Sequence, residues 1–158
     1  MTPTPDAKTR ILHSSSQRAA YFDLRYRVFV CEQQVPFVLE IDARDFAPLT
    51  ETIPVGIFHA DELIAGARIL INSPTAIHIG RVVVERSARG HGLGSSLIQQ
   101  AEVVAARALR NPAEMVIELD AQTRVIPFYE SLGFHAYGPE FDDAGIPHRT
   151  MRKIRSSL

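Results

Sequence analysis

A glycine-rich hexapeptide between a strand pattern and a helix pattern constrains this chain more than any other feature. It comprises residues 89–94, Arg-Gly-His-Gly-Leu-Gly. The β-branched run 77–84 before it is typical of a strand, and Leu93, Leu97 and Ala101 begin an apolar series with helical spacing after it. A strand-to-helix turn can point backbone N–H groups inward, and the helix N-terminus adds partial positive charge. The sequence therefore predicts a phosphate-binding turn.

The pattern of glycines narrows the kind of phosphate ligand. A P-loop requires a Lys after its last glycine, where this chain has Ser95 and Ser96. The dinucleotide fingerprint fails as well, because its third glycine would fall on Ser95. The remaining pattern is R-x-x-G-x-G, formed by Arg89, Gly92 and Gly94. The alternative is a simple connecting turn, since tolerance of positive φ is a common need in turns.

Length and charge exclude several classes of protein. With 158 residues the chain is expected to form one domain over residues 9–158, preceded by a flexible N-terminal tail at 1–8. The net charge of −1 favours neither nucleic acid nor an anionic membrane as a partner. Cys31 is the only cysteine, which excludes an intramolecular disulfide and a thiolate metal cluster. We expect a cytoplasmic protein, because no apolar run approaches the length of a membrane span and no signal peptide follows Met1.

Periodicity and capping signals predict the element order β-α-α-β-β-β-α-β-α-β-β. A capping box at Ser14 and Gln17 opens a helix that runs to about Phe29. Antiparallel hairpins followed by a strand–helix–strand crossover indicate an α/β fold with a mixed sheet and helices on its faces. The later helices are predicted to be a short one within 31–48, a long one from about 92 to 110, and one from Pro127 to Leu132. The predicted strands are 9–13, 55–59, 63–72, 77–84, 114–120, 134–137 and 149–154.

A second motif identifies a family. Residues 128–134, Phe-Tyr-Glu-Ser-Leu-Gly-Phe, resemble the YExLGF signature of the GNAT N-acetyltransferase superfamily, whose acyl-CoA pyrophosphate loop resembles residues 89–94. The resemblance covers roughly residues 21–152 and implies a GNAT-type, mostly antiparallel central sheet flanked by helices. Finer matches resemble the ElaA-like branch of that superfamily, at residues 24–30, 32–33, 40–42, 67–70, 120–122, 145–148 and Met151.

This resemblance implies acetyl-CoA as the co-substrate. The backbone of Val82, Val83 and Val84 would line its pantetheine arm, and one N–H of this strand would polarise the thioester carbonyl. Gln122 stands where the superfamily often has Asn, so we expect one cofactor contact to differ. The residues expected to hold the pyrophosphate are Arg89, Gly90, His91, Gly92, Leu93, Gly94 and Ser95.

The implied reaction is direct transfer of an acetyl group to an amine in a ternary complex. Tyr129 matches the position of the family's general acid, and a phenol with a pKa near ~10 is protonated at neutral pH; the alternative is an aromatic anchor in the core. The amine must be neutral to attack, so a base or a water chain is required. His78 and His148 are the candidate bases, although a lone strand histidine is more often structural. The histidine spacing shows no metal motif, and we expect no metal.

The acceptor is expected to be a primary amine of a small molecule or peptide. Glu40 and Asp42 lie in a predicted irregular acidic segment that suits a cationic partner, and a solvated acidic loop is the alternative. A rival function is that of acyl-homoserine-lactone synthases, whose opening is similar to Arg25 with Val28-Phe29, followed by Glu40-x-Asp42 and Asp45. A second rival is a regulatory module that binds acyl-CoA without turnover. The sequence is compatible with a homodimer and fixes neither the oligomeric state nor the acceptor.

Overall fold

A computed structural model describes residues 7–157 of the chain, which form a seven-stranded sheet in the order β1-β2-β3-β4-β5-β7-β6. Among these residues the β4–β5 pair is parallel and the other five neighbouring pairs are antiparallel. The predicted mixed, mostly antiparallel sheet is therefore confirmed. The strands are β1 Thr9–Ile11, β2 Thr52–His59, β3 Glu62–Ser73, β4 Ala76–Val84, β5 Glu114–Gln122, β6 His135–Asp143 and β7 Ile146–Ser156.

Four α-helices flank this sheet in the predicted element order. They are α1 Ser15–Arg25, α2 Phe37–Glu40, α3 Leu93–Ala108 and α4 Ile126–Ser131. The larger core joins α3 and α4 to the sheet, and Leu97, Ile98 and Ile117 in it are fully buried. A smaller cluster places Tyr21 and Leu24 of α1 against β3 and β4. The two clusters fix helices against β4, the strand that precedes the glycine-rich turn.

The first helix changes its hydrogen-bonding pattern where the sequence predicts a continuous α-helix. The capping box is present, since the Ser14 hydroxyl accepts from the Gln17 N–H. After Arg25, however, the chain continues as a π-helix over Tyr26–Glu32. Apolar spacing does not distinguish this wider turn from an α-helix, so the prediction to Phe29 missed it. The short α2 and a 3₁₀ turn at Ala43–Phe46 follow, in agreement with the predicted short helix plus loop.

Several other boundaries also differ from the prediction. The β7 strand begins at Ile146 rather than Arg149, so His148 lies within a strand. The long α3 helix ends at Ala108, two residues earlier than predicted, because Arg110 and Asn111 adopt left-handed conformations with φ of 62° and 51°. Residues 1–6, most of the predicted N-terminal tail, and Leu158 lie outside the described residues. The one-domain organisation over residues 9–158 stays a prediction.

Candidate active site

The parallel β4 and β5 strands separate partway along their length. They pair from Ala76 opposite Val116 to His78 opposite Glu118, and no further pairing joins them within residues 7–157. Beyond that point β4 continues beside β3, and β5 continues beside β7. The result is a wedge-shaped opening between the strands. Backbone groups of β4 on the β5 side of this opening are free of ladder hydrogen bonds.

A β-bulge lies on β4 at the edge of the opening. Gly66 of β3 pairs with Val83, and Arg68 pairs with Gly80, so two residues of β4 oppose one of β3. One of the two, Arg81, has a φ of 50°, which is unusual for a residue other than glycine. Such bulges bend a strand and redirect its backbone groups. The bulge was not predicted from the sequence, although an isolated glycine within a β-branched run, here Gly80, is typical of a bulge.

A cleft of about 480 Å³ occupies the opening. This volume is within the range of small-molecule binding sites. Nine of the residues predicted from the sequence line it, and they come from α2, β4, the glycine-rich turn, β5, α4 and β7. They are Glu40, His78, Val82, Val84, Arg89, Gly94, Gln122, Tyr129 and His148.

The other predicted residues do not line this cleft with their side chains. Val83 is buried against α1, and Arg25 and Asp42 belong to an ion-pair network behind the bulge. The remaining ones form the turn at one end of the cleft, beside Arg89 and Gly94, and are Gly90, His91, Gly92, Leu93 and Ser95.

The glycine-rich turn presents an uncapped helix N-terminus. Gly92 is the N-cap of α3 with a φ of 77°, a left-handed conformation that glycine adopts without strain. No side chain within residues 7–157 caps the helix there, and its first turn contains no acidic residue. An added Cβ at Gly92 would meet no atom within 4 Å, whereas one at Gly94 would lie 3.2 Å from the Phe128 ring. The first N–H groups of α3 have no intrahelical partner and the space beside Gly92 is open, two features that suit anion binding.

Two polar contacts connect the π-helix to this side of the cleft. The Arg89 guanidinium donates two hydrogen bonds to Glu32, at 3.0 and 2.9 Å. The Gln122 amide donates to Gln33 at 2.9 Å and accepts from Arg124 at 3.0 Å. Gln33 was not among the predicted site residues, and it lies at the end of the π-helix that the apolar spacing did not indicate.

Tyr129 lies in the cleft wall with only 8% of its surface exposed. Its ring packs edge-on against Phe128 and Phe134, with centroid distances of 4.9 and 5.9 Å. Its hydroxyl makes no hydrogen bond with another group among residues 7–157. Burial raises the pKa of Tyr129 to about 12, so the phenol is protonated throughout the neutral range. The residue has both the predicted packing role and a hydroxyl available to a ligand.

His78 lies at the closed end of the wedge, beside the last paired residues of β4 and β5. Its Nε2 is 3.8 Å from Oδ2 of Asp120, and Asp120 also accepts from the Thr150 hydroxyl at 2.9 Å. Burial lowers the pKa of His78, and the carboxylates of Asp120 and Glu118 oppose that shift. A neutral imidazole beside a carboxylate is a suitable arrangement for accepting a proton.

His148, the second predicted base, is buried on β7 opposite Gln122. Its Nδ1 lies 2.7 Å from the backbone oxygen of Ile146, and its ring stacks on Phe141 at 5.8 Å. A carbonyl oxygen can only accept a hydrogen bond, so Nδ1 is the donor in this contact and Nε2 is the nitrogen that faces away from it. Both candidate bases therefore line the same cleft.

Arg25, Glu40 and Asp42, predicted to contact the acceptor, belong to one ion-pair network. Nε of Arg25 lies 2.6 Å from Glu40, and Nη1 of Arg25 lies 2.7 Å from Asp45. Arg68 pairs with both Asp42 and Asp45, at 2.7 and 2.9 Å. Hydrogen bonding to Arg68 lowers the pKa of Asp42 to about 2. The carboxylates of this segment are thus paired with arginines, which differs from the open acidic loop considered as the alternative. Those of Glu40 and Asp45 are buried, and the Asp42 side chain is 39% exposed.

The described residues also bear on a metal and on a membrane. Within residues 7–157 no three His, Cys, Asp or Glu side chains are grouped in a way that could hold a metal ion. None of the helices in this part of the chain has the length and apolar character that crossing a membrane requires.

Comparison with known proteins places this site in a family context. Residues 49–155 match the family described as the acetyltransferase (GNAT) domain. Protein ElaA of Escherichia coli (strain K12) is 33% identical over 142 residues, which cover 89% of each chain. The uncharacterized N-acetyltransferase YjcF of Bacillus subtilis (strain 168) is 30% identical over 147 residues, 92% of this chain and 99% of that protein.

Solved structures give the same result. The crystal structure of E. coli ElaA superposes with a TM-score of 0.80 at 30% identity, covering 93% of this chain and 99% of that one. An acyl-CoA N-acyltransferase from Pseudomonas aeruginosa also superposes with a TM-score of 0.80 at 30% identity, covering 94% and 98%. The similarity therefore extends over nearly the whole fold.

Proposed function

Because the chain belongs to the GNAT acetyltransferase family, we propose that it transfers an acetyl group from acetyl-CoA to a primary amine of a small molecule or peptide. Membership of the family establishes the class of acyl-CoA-dependent N-acyltransferases. The choice of acetyl as the acyl group and of the acceptor is our proposal. The observation that carries it is the continuous cleft between the uncapped α3 N-terminus and Tyr129.

The donor would lie along β4. Backbone N–H groups of Gly90 to Ser95 would bind the pyrophosphate, because the turn offers unpaired donors and open space beside Gly92. The backbone of Val82, Val83 and Val84 would bind the pantetheine arm, since this part of β4 has no strand partner on the β5 side. The Gln122 side chain, held between Gln33 and Arg124, would contact the arm from the opposite strand.

Transfer begins with an amine that has lost its proton. His78 is the first candidate to accept that proton, with Asp120 beside it, and His148 is the second. The amine nitrogen then attacks the thioester carbonyl carbon, and the carbonyl electron pair moves onto oxygen. A backbone N–H of the bulged β4 would stabilise that oxyanion. When the oxyanion collapses, the C–S bond breaks and CoA leaves as a thiolate. The nitrogen loses its second proton to give the neutral amide, and that proton balances the one that the thiolate takes up to become the CoA thiol.

Tyr129 would assist the departure of that thiolate. With a pKa of about 12 the phenol is a hydrogen-bond donor at every pH at which the amine reacts. A thiol has a reference pKa near ~8.5, so complete proton transfer from the phenol is uphill and donation to the leaving sulfur is the larger part of its role. The absence of another hydrogen-bond partner for this hydroxyl within residues 7–157 supports the assignment.

The acceptor would enter from the α2 side of the cleft. Glu40 lines that side, and its carboxylate is already paired with Arg25. We therefore propose that Arg25, Glu40 and Asp42 shape the acceptor side as a unit. The Asp120 carboxylate, which pairs with no arginine or lysine within residues 7–157, is better placed to attract a cationic amine. A cytoplasmic location and a homodimer stay predictions.

A screen of amines with acetyl-CoA tests this function. The purified protein is incubated with acetyl-CoA and a panel of small primary amines and peptides, free thiol is measured, and products are identified by mass. We expect thiol release that depends on an amine and yields one N-acetylated product for each thiol. The matched control omits the amine. Binding of acetyl-CoA without release on any amine would favour the regulatory module, and no binding would overturn the proposal.

A further inference from the structure

The β4 bulge is held by a side chain from α1. The buried Tyr21 hydroxyl donates to the backbone oxygen of Arg81 at 2.8 Å. Arg81 is the bulge residue with positive φ, and its carbonyl lies in the segment where ladder pairing with β3 is interrupted. Burial raises the pKa of Tyr21, so the hydroxyl remains a donor at any physiological pH. This hydrogen bond satisfies a carbonyl that the bulge removes from the sheet.

A glycine makes room for this contact. Gly66 of β3 pairs with Val83 beside the bulge, and an added Cβ at Gly66 would lie 2.7 Å from the Tyr21 ring. Real Cβ contacts are not that short, so any larger residue would displace the ring. The tyrosine can therefore lie directly over β3 and reach the bulge carbonyl only because position 66 lacks a side chain.

The side chain of the bulge residue is fixed as well. Nε of Arg81 donates to the backbone oxygen of Glu40 at 3.0 Å, and Nη2 of Arg25 donates to the same oxygen at 2.9 Å. Arg25 also lies 5.1 Å from the centre of the Tyr21 ring. Helix α1 therefore contacts the bulge twice, directly through Tyr21 and indirectly through the end of α2. A strained residue with two such anchors is held in one conformation.

We propose that Tyr21 is a positioning residue for acyl transfer, which fixes the β4 bulge and thereby the backbone N–H groups that would face the thioester carbonyl. The inference rests on the proposed function, since it concerns how an acyl-CoA carbonyl is held. Tyr21 does not line the cleft and has no contact with the reacting atoms. Its effect is transmitted through the Arg81 peptide.

Binding of two CoA derivatives by Tyr21→Phe tests this role. Phe retains the ring that packs on Gly66 and removes only the hydroxyl. The probes are acetyl-CoA and S-ethyl-CoA, a thioether that has the same arm and no carbonyl oxygen. We expect wild type to bind acetyl-CoA more tightly, and Tyr21→Phe to lose about threefold to tenfold of that preference while binding S-ethyl-CoA as wild type does. With an acceptor in hand, kcat should fall about 10- to 100-fold, the scale of a misplaced reactive group.

The matched control is Tyr26→Phe, which removes a hydroxyl from the next turn of the same helical segment, where the side chain is 45% exposed. It should behave as wild type in both measurements. If Tyr21→Phe does not fold, Gly66→Ala retains the hydroxyl, displaces the ring, and is expected to lose the same preference. An unchanged preference for acetyl-CoA in a folded Tyr21→Phe or Gly66→Ala protein would overturn the inference. Failure of wild type to bind either probe would instead overturn the proposed function, so the two failures are distinguishable.

Discussion

The glycine-rich turn and the β4 bulge bound the same cleft and are built in opposite ways. The turn is a contiguous segment whose donors are backbone N–H groups, and its ion pair, Arg89 with Glu32, is exposed to solvent. The bulge is supported by side chains of α1 and by the end of α2, and the ion pairs of Arg25 and Arg68 with Glu40 and Asp45 beside it are buried. A site made of backbone N–H groups therefore requires only a short stretch of sequence, whereas a bent strand requires residues that are distant in sequence to stabilise it.

The two regions should also differ in how much stability they contribute. Exposed ion pairs contribute about 0–1 kcal/mol to folding. Removing one partner of a buried pair costs about 3–5 kcal/mol, because the remaining charge is left without compensation. The bulge support is therefore expected to be part of the folding core, and the turn to be nearly independent of it.

The largest expected effect concerns Tyr129, which lies between the two regions and belongs to neither. Tyr129→Phe retains the packing against Phe128 and Phe134 and removes the donor, so kcat should fall about 10²–10⁴-fold. Acetyl-CoA affinity and melting temperature should change little, since the hydroxyl has no protein partner within residues 7–157. Steady-state kinetics with a true acceptor over a range of pH measures this. Full kcat in the variant, with chemistry rate-limiting, would show that Tyr129 is structural.

The second prediction compares one arginine from each region. Arg25→Met takes from the buried Glu40 carboxylate its partner at 2.6 Å and leaves Asp45 paired with Arg68 alone, and we expect the free energy of unfolding to fall by about 3–5 kcal/mol. Arg89→Met removes an exposed pair and should cost about 0–1 kcal/mol. Urea denaturation of both variants and wild type measures the difference. Equal losses of unfolding free energy in the two variants would show that the buried ion pairs beside the bulge contribute no more to stability than the exposed pair at the turn.

The smallest expected effect is on affinity at the turn. Gly92→Val should weaken acetyl-CoA binding about tenfold, or about 1.4 kcal/mol, because a side chain there prevents close approach of the pyrophosphate. Gly138→Val is the matched control, since Gly138 has a similar φ of 74°, equally open surroundings, and lies on β6. Both variants share the same backbone strain. Calorimetry in which the two lose affinity equally would remove the phosphate assignment.

Gly92 is a cleaner position for this test than Gly94. A valine at position 94 would also press on the Phe128 ring, which an added Cβ already approaches to 3.2 Å. A loss of acetyl-CoA affinity in a Gly94 variant would therefore have two causes. The new side chain would block the turn, and it would also move Phe128, which packs against Tyr129.

The sequence predicted the fold and the turn because both depend on neighbouring residues. Strand and helix order follows from periodicity and capping, and the uncapped α3 N-terminus follows from a short motif. The bulge support was not predictable in this way. Tyr21 and Arg81 are 60 residues apart, and Arg25 and Glu40 are 15 apart on separate helices, so no local pattern records their contact.

The acidic segment shows the same limit at one residue. The residues around Glu40 have the composition of a solvated loop, yet the Glu40 side chain is only 2% exposed and forms an ion pair with Arg25. Burial of a charge depends on where its partner arrives in space. The π-helix is a further example, because it shifts Glu32 and Gln33 toward the cleft without altering the apolar pattern that predicts a helix.

The short parallel seam between β4 and β5 has a mechanical consequence. Three residue pairs of β4 and β5 join the four strands β1–β4 to the other three strands. The two parts of the sheet are therefore hydrogen-bonded to each other at one end only. A donor whose amide groups hydrogen-bond along the free edge of β4 would lie between the two parts of the sheet, where β4 and β5 have separated. In that state the bound donor would be part of the sheet, and after product release the two parts would again be joined by the β4–β5 seam and by the core beneath α3 and α4.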